Sequence, residues 1–310
     1  MAEPPLAGPA VAAAAVPAEN AGAIHDIGYR HYDGPRLGAA YIRRSLFVET
    51  LRGAYGLGRS ARSKVMPFVL LGVMVLPAVV IGIVASYIGL DELPRGLDYT
   101  TYVITMQVAV TVYLGSQAPA VVSRDLRYRT TALYFSRPLS RQQYVQAKYA
   151  GMASALFLLL ALPITLLLVG ALLAELPLGE QLPDYLRAMA GAALHALVLA
   201  GIGLVVAAMT PRRGLGVAAV VGVLIVLSGV QATVRGLAEV FGNDTFSGYT
   251  GLLSPFTLVD GVVAGLLGAE SSVGREPPGA IGTSVYVVVT VLLLVGCYVA
   301  LVARYRKALS

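Results

Sequence analysis

Residues 149–174 read YAGMASALFLLLALPITLLLVGALLA, a run with no Asp, Glu, Lys or Arg. A helix rising about 1.5 Å per residue needs roughly 20 apolar residues to cross the hydrocarbon of a bilayer. Five further uncharged apolar stretches lie on either side, at 66–90, 99–123, 188–211, 214–234 and 277–303. The charges in the gaps alternate in balance from one gap to the next. The N-terminal segment, 124–148, Arg212 with Arg213 and the C-terminal tail carry 19 Lys/Arg against 6 Asp/Glu. The remaining gaps carry Arg95, Arg187, Arg235 and Arg275 against 11 acids. Loops rich in Lys and Arg stay on the cytoplasmic side. The expected fold is therefore an all-α integral membrane protein of six transmembrane helices with both termini cytoplasmic.

Composition agrees. The chain has 310 residues, is 57% hydrophobic and has a mean hydropathy of +0.74. Its basic balance, +6 with a pI near 9.4, is sorted by side of the membrane rather than gathered on one domain. That sorting suits anionic membrane lipid and argues against nucleic acid. The one cysteine, Cys297, lies inside the last apolar stretch, so no disulfide framework or cysteine metal cluster is expected. Asn243-Asp244-Thr245 fits a glycosylation sequon on the outer side, with meaning only in a secretory host.

Residues 1–34 are rich in Ala and Pro and read as a disordered cytoplasmic tail. Glu3, the absence of a basic start and Pro4, Pro5, Pro9 and Pro17 set it apart from a signal peptide. Residues 35–310 form one membrane domain. Just before the first span, Phe47, Val48, Leu51, Ala54 and Tyr55 fall on one helical stripe, with Arg43, Glu49 and Arg52 away from it. This pattern predicts an amphipathic helix lying in the headgroup plane. Pro77 and Pro163 interrupt spans one and three and call for neighbours that satisfy the freed backbone. Gly82 with Ser86, Ala188 with Ala192, Ala196 with Ala200 and Ala218 with Gly222 offer close helix approach. Between spans five and six, LLSPFTLVDGVVAGLLG (252–268) is too short for a crossing and holds Pro255 and Asp260. It reads as a re-entrant or interfacial segment on the outer side.

No catalytic constellation is visible, so the chain reads as no enzyme. It lacks the G-x-x-x-x-G-K-[ST] phosphate loop, and none of its three lysines follows a glycine. His25 and His31 flank Asp26 without a third ligand, so no metal site is assigned. His195 is the one imidazole within a span, and it reads as bonded to a neighbouring helix rather than as a proton relay, since no span holds a carboxylate. Neutral spans leave nothing to hold a coupling ion, which places the energy source outside the membrane.

The segment SRDLRYRTTALYFSRPLSRQQYVQAKY (123–149) sets Arg124, Arg127, Arg129, Arg137, Arg141 and Lys148 around Leu126, Leu133, Tyr134 and Phe135. Pro138 breaks any helix there, giving helix, turn and a new helix into span three. A bare positive anchor needs no such apolar residues. Here the chain resembles the permease subunits of ATP-binding-cassette (ABC) transporters of the type-2 exporter class. The resemblance rests on Arg124-Asp125, Leu133-Tyr134-Phe135, Arg137-Pro138-Leu139-Ser140-Arg141 and Lys148, together with the six-span order, the N-terminal interfacial helix and the outer segment from Ser254-Pro255-Phe256. It covers about 35–310. The family often has Glu where this chain has Asp125.

The resemblance implies a bacterial inner-membrane subunit that pairs with a second permease copy, alike or different, and with soluble ABC ATPase subunits. ATP and Mg then sit on the ATPase and no cofactor on this chain. It implies that Leu133, Tyr134 and Phe135 dock into the ATPase, with Arg124, Asp125, Arg137, Pro138 and Arg141 shaping the contact. It also implies that spans two and five face the transport path. Gln107 and Thr111 share a face of span two, as do Ser228 and Gln231 of span five. Amides facing lipid are costly, so these point at protein or at water. An ion-coupled secondary transporter and a membrane assembly or immunity factor remain as alternatives, and the cargo is not legible.

Overall fold

The computed structural model describes residues 34, 37–88, 98–127, 139–210, 212–272 and 276–307. The expected tail falls outside them apart from Gly34. All elements belong to one unit, Leu37–Ser310. They are helical, and no strand occurs among the described residues. In order they are α1 (Ala39–Ala54), α2 (Ala61–Ile88), α3 (Tyr102–Thr105), α4 (Gln107–Arg127), α5 (Arg141–Leu173), α6 (Leu178–Met209), α7 (Arg213–Val240) and α8 (Asp244–Tyr249). A 3₁₀ turn (Thr250–Leu253), α9 (Pro255–Leu267) and α10 (Gly279–Lys307) follow.

Five helices, α2, α5, α6, α7 and α10, are long and apolar enough to cross a membrane. The second expected span, 99–123, is not among them. Its chain turns at 98–101, forms the four-residue α3, and restarts as α4, which is 21 residues long but carries Gln107, Thr111, Ser116, Gln117 and Ser123. Length suffices there, and polarity sets α4 apart. The other helices overrun their apolar cores. α5 starts at Arg141 because Ser140 caps it: the Ser140 hydroxyl accepts from Gln143 N and the Gln143 side chain accepts from Ser140 N.

α6 is the most enclosed span and packs against α5, α4, α9 and α10. α5 also packs on α2 and α1, and α4 packs on α7. Small residues set the spacing, since hydrophobicity alone does not drive helices together in lipid. A Cβ on Gly82 of α2 would lie 2.8 Å from Gly170 Cα of α5, so the two backbones touch. Ala188, Ala192, Ala196 and Ala200 line the buried face of α6. Ser86 and Ala218 are exposed instead, and a Cβ on Gly222 would meet nothing, so the Ala218–Gly222 pair joins no helix among the described residues. In the turn of α2 before Pro77, the Tyr102 hydroxyl donates to the Met74 carbonyl.

The amphipathic helix is present as α1, with its buried line shifted. Leu46, Thr50 and Ala54 are the buried residues, while Phe47, Val48, Leu51 and Tyr55 are half-buried. The cause is α5: at Gly151 the helices approach until a Cβ would lie 2.7 Å from Thr50 Cβ. Thr50 turns its hydroxyl back to Leu46 O at 2.7 Å, which leaves its methyl for that contact. The segment expected on the outer side, 252–268, forms the end of the 3₁₀ turn and α9, after the short α8. α9 is buried from Pro255 through Ala264 against α6, α7 and α10.

Candidate functional site

At the ends of α4, α5, α6 and α10 a polar cluster joins four helices. Asp125 stands two residues before the end of α4. Lys148, one turn after Tyr144 on the same face of α5, places its Nζ 3.0 Å from Asp125 Oδ2 and 3.3 Å from the Val121 carbonyl. The Tyr144 hydroxyl donates to the same carboxylate. Tyr144 packs edge-on against Tyr305 of α10, with centroids 5.1 Å apart, and Lys148 Nζ lies 5.6 Å from the Tyr144 ring centre. Next to this group Arg304 Nε donates to Ala208 O at 3.0 Å and Ser123 Oγ to Ala207 O at 2.9 Å, which fastens α10 and α4 to the end of α6.

The side chains of Lys148 and Asp125 are only 11% and 17% exposed, so their pairing is not an ordinary surface salt bridge. Each charge offsets the other's loss of water, and the Val121 carbonyl and Tyr144 hydroxyl take up further hydrogen-bonding capacity. The result is mechanical as well. The two ends of the chain that enter and leave 128–138 are held to one another.

Of the expected docking residues, Leu133, Tyr134, Phe135, Arg137 and Pro138 lie outside the described residues. Arg124 lies on α4, and Arg141 is exposed at the first position of α5. Asp125 is the one placed in the cluster. Tyr144, Tyr305 and Val121 were not anticipated. Tyr144 and Lys148 share a helix face four residues apart, a signal that was legible. Tyr305 has none, because only folding carries it to α5.

The four path residues divide. Thr111 is buried on α4 and Gln107 is half-buried one turn earlier. Ser228 Oγ lies 3.2 Å from Ser254 Oγ, at the start of α9. Gln231 is buried and lines a small cavity with Arg235, Ser247, Asp260 and Tyr286. α4 and α7 do pack together, with Gly115 against Val221. No hydrogen bond joins Gln107 or Thr111 to Ser228 or Gln231 among the described residues.

His195 of α6 is bonded to a neighbouring helix, as expected. Its Nδ1 is 2.9 Å from Gly191 O and its Nε2 is 3.1 Å from Phe256 O of α9. Also on α9, the Asp260 carboxylate accepts from Ser271 Oγ at 3.0 Å and from Ser272 N at 3.3 Å. Burial pushes the Asp260 carboxyl above the ordinary carboxylate range, and the bonds from Ser272 and Ser271 pull it part of the way back. The pair His25 and His31 lies outside the described residues.

Searches against protein-family models and curated proteins find no match to this chain.

Proposed function

We propose that this chain is the membrane subunit of an ATP-driven ABC exporter, working as a pair of permeases with a separate soluble ATPase at a bacterial inner membrane. Five apolar helices and the sorted charges support a multi-pass membrane protein. On this reading α4 is the sixth crossing and both termini are cytoplasmic. Its polar side chains are sheltered by α7, α6 and α2, which pack on it. The observation that carries the proposal is the Asp125–Lys148–Tyr144 cluster. A segment that receives a push transmits it only if its roots are rigid, and this cluster ties both roots of 128–138 together. Displacing Leu133, Tyr134 and Phe135 would then move α4 and α5 as one body. α4 would carry α7 with it, and so shift Gln107, Thr111, Ser228 and Gln231. The absent phosphate loop is consistent, because nucleotide chemistry would belong to the partner, which binds ATP and Mg.

The test is reconstitution with a soluble ABC ATPase, sought first among the genes adjacent to that of this chain. Phe135→Ala and Arg137→Ala should lower the stimulation of ATPase activity and the export it drives, while the permease remains folded. Wild-type coupling in both variants removes the docking assignment. Uphill accumulation by the chain alone, without nucleotide, removes the ATP-driven reading altogether.

A further inference from the structure

The face of α1 turned away from α5 borders a groove of about 520 Å³. Its end is formed by the turn into α2. Gly56, with φ +67°, closes a Schellman motif in which Gly56 N donates to Gly53 O at 3.1 Å and Leu57 N to Arg52 O at 2.8 Å. A side chain there would strike the Ser63 and Lys64 backbone, with Ser63 C at 2.6 Å, so the turn needs glycine. The reversal lays Arg59 back over α1, its Nη2 3.4 Å from where a Gly53 Cβ would stand. Arg44, Arg52 and Arg59 thus line one groove, with Glu49 the one carboxylate among its described lining residues. Arg187 and Arg235 have acidic partners at 2.6 Å and 2.8 Å, whereas Arg44 and Arg52 are exposed with no ion pair among the described residues.

We propose that this groove binds the phosphate headgroup of an anionic phospholipid. Guanidinium groups match phosphate oxygens in pairs of hydrogen bonds. The choice of a lipid over an acidic protein surface rests on what lies between the arginines. Tyr41, Val48 and Leu57 line the same groove and suit an amphiphile. A few residues on, α2 exposes Val65, Met66, Phe68 and Val69, which puts the groove where hydrocarbon gives way to headgroups. At the end of α1, Tyr55 heads an almost wholly apolar cleft of about 470 Å³ walled by Phe68, Leu71, Leu158, Leu162 and Leu166. The inference does not depend on any ATPase.

The full chain, purified in neutral detergent, is titrated with phosphatidylglycerol and with phosphatidylcholine of the same acyl chains, and retained lipid is read by native mass spectrometry. Phosphatidylglycerol should be preferred. Each arginine near a lipid surface contributes about fivefold in affinity, so Arg44→Gln with Arg52→Gln should lose about 25-fold. Arg187→Gln, whose guanidinium already pairs with Asp184, should lose nothing. Circular dichroism checks that the variants keep their helices. Equal retention of the two lipids, or wild-type retention by the double variant, overturns the proposal. Displacement of phosphatidylglycerol by millimolar inorganic phosphate reassigns the groove to a free anion. Capture of an acidic soluble domain, lost in the same double variant while lipid retention persists, reassigns it to protein docking.

Discussion

Lys148 Nζ and Asp125 Oδ2 lie 3.0 Å apart across the gap between the end of α4 and the start of α5, almost out of contact with solvent. Breaking such a pair from one side strands a buried charge, at a cost of about 3–5 kcal/mol. Lys148→Met and Asp125→Leu should each destabilise the detergent-solubilised protein by about that amount. The double variant should recover most of the loss, because no charge is left behind. Additive losses in a thermal-unfolding cycle would show that the two side chains act independently. Under the proposed function, coupling should fall in the double variant even where stability returns.

The contact between Gly82 and Gly170 is backbone against backbone, with no flexible side chain to yield. Gly82→Ala should destabilise by about 1–3 kcal/mol, the usual cost of overpacking. Gly222→Ala should be neutral, since its Cβ would meet open space. Comparable unfolding midpoints for these two variants would show that α2 and α5 separate at little cost.

His195 meets carbonyl oxygens at both ring nitrogens, while a neutral imidazole has one N–H to donate. With the proton on Nε2 it ties α6 to α9 through Phe256 O. His195→Leu keeps bulk and removes the donor, and should cost about 1–3 kcal/mol. Amide exchange in α9 should rise with it. Unchanged protection of α9 would mean that packing of Phe256, not the hydrogen bond, holds the helix.

Asp260 gives a dependence on pH. Its carboxyl is raised above its unfolded value by burial, so the folded state holds the proton more tightly than the unfolded state does. For an acid shifted in this direction, ionisation costs stability at neutral pH, and that cost is relieved as pH falls through the folded pKa. Wild-type protein should therefore gain stability relative to Asp260→Asn as pH is lowered from neutral toward the ordinary carboxylate range. Parallel melting curves across that change of pH would remove Asp260 as the source.

Much of the frame was legible from residue type alone. Five of the six apolar stretches correspond to long apolar helices, because a charge-free run of that length has few other stable forms in lipid. Pro77 and Pro163, expected to interrupt spans one and three, lie inside the continuous helices α2 and α5, whereas Ser140 with Gln143 carried the start of α5 in plain sight. The second stretch read differently once folded. Its hydroxyls and amides lower the apolarity that defines a span, and its first residues break into a turn and α3. The buried line of α1 keeps Ala54 of the expected stripe but runs through Leu46 and Thr50, since a helical pattern locates an apolar face but not the partner that covers it.

Sequence alone determined that this chain is helical, multi-pass in its apolar pattern, sorted in charge, and without a phosphate loop of its own. These follow from local composition, and hydrocarbon leaves the backbone little choice. Tertiary structure alone decided that Lys148 meets Asp125, that Tyr305 reaches Tyr144, that His195 touches Phe256 and that Arg59 joins Arg44 and Arg52. Each of these pairs is brought together by helix crossings or a glycine turn whose geometry depends on close packing. No spacing along the chain encodes those contacts.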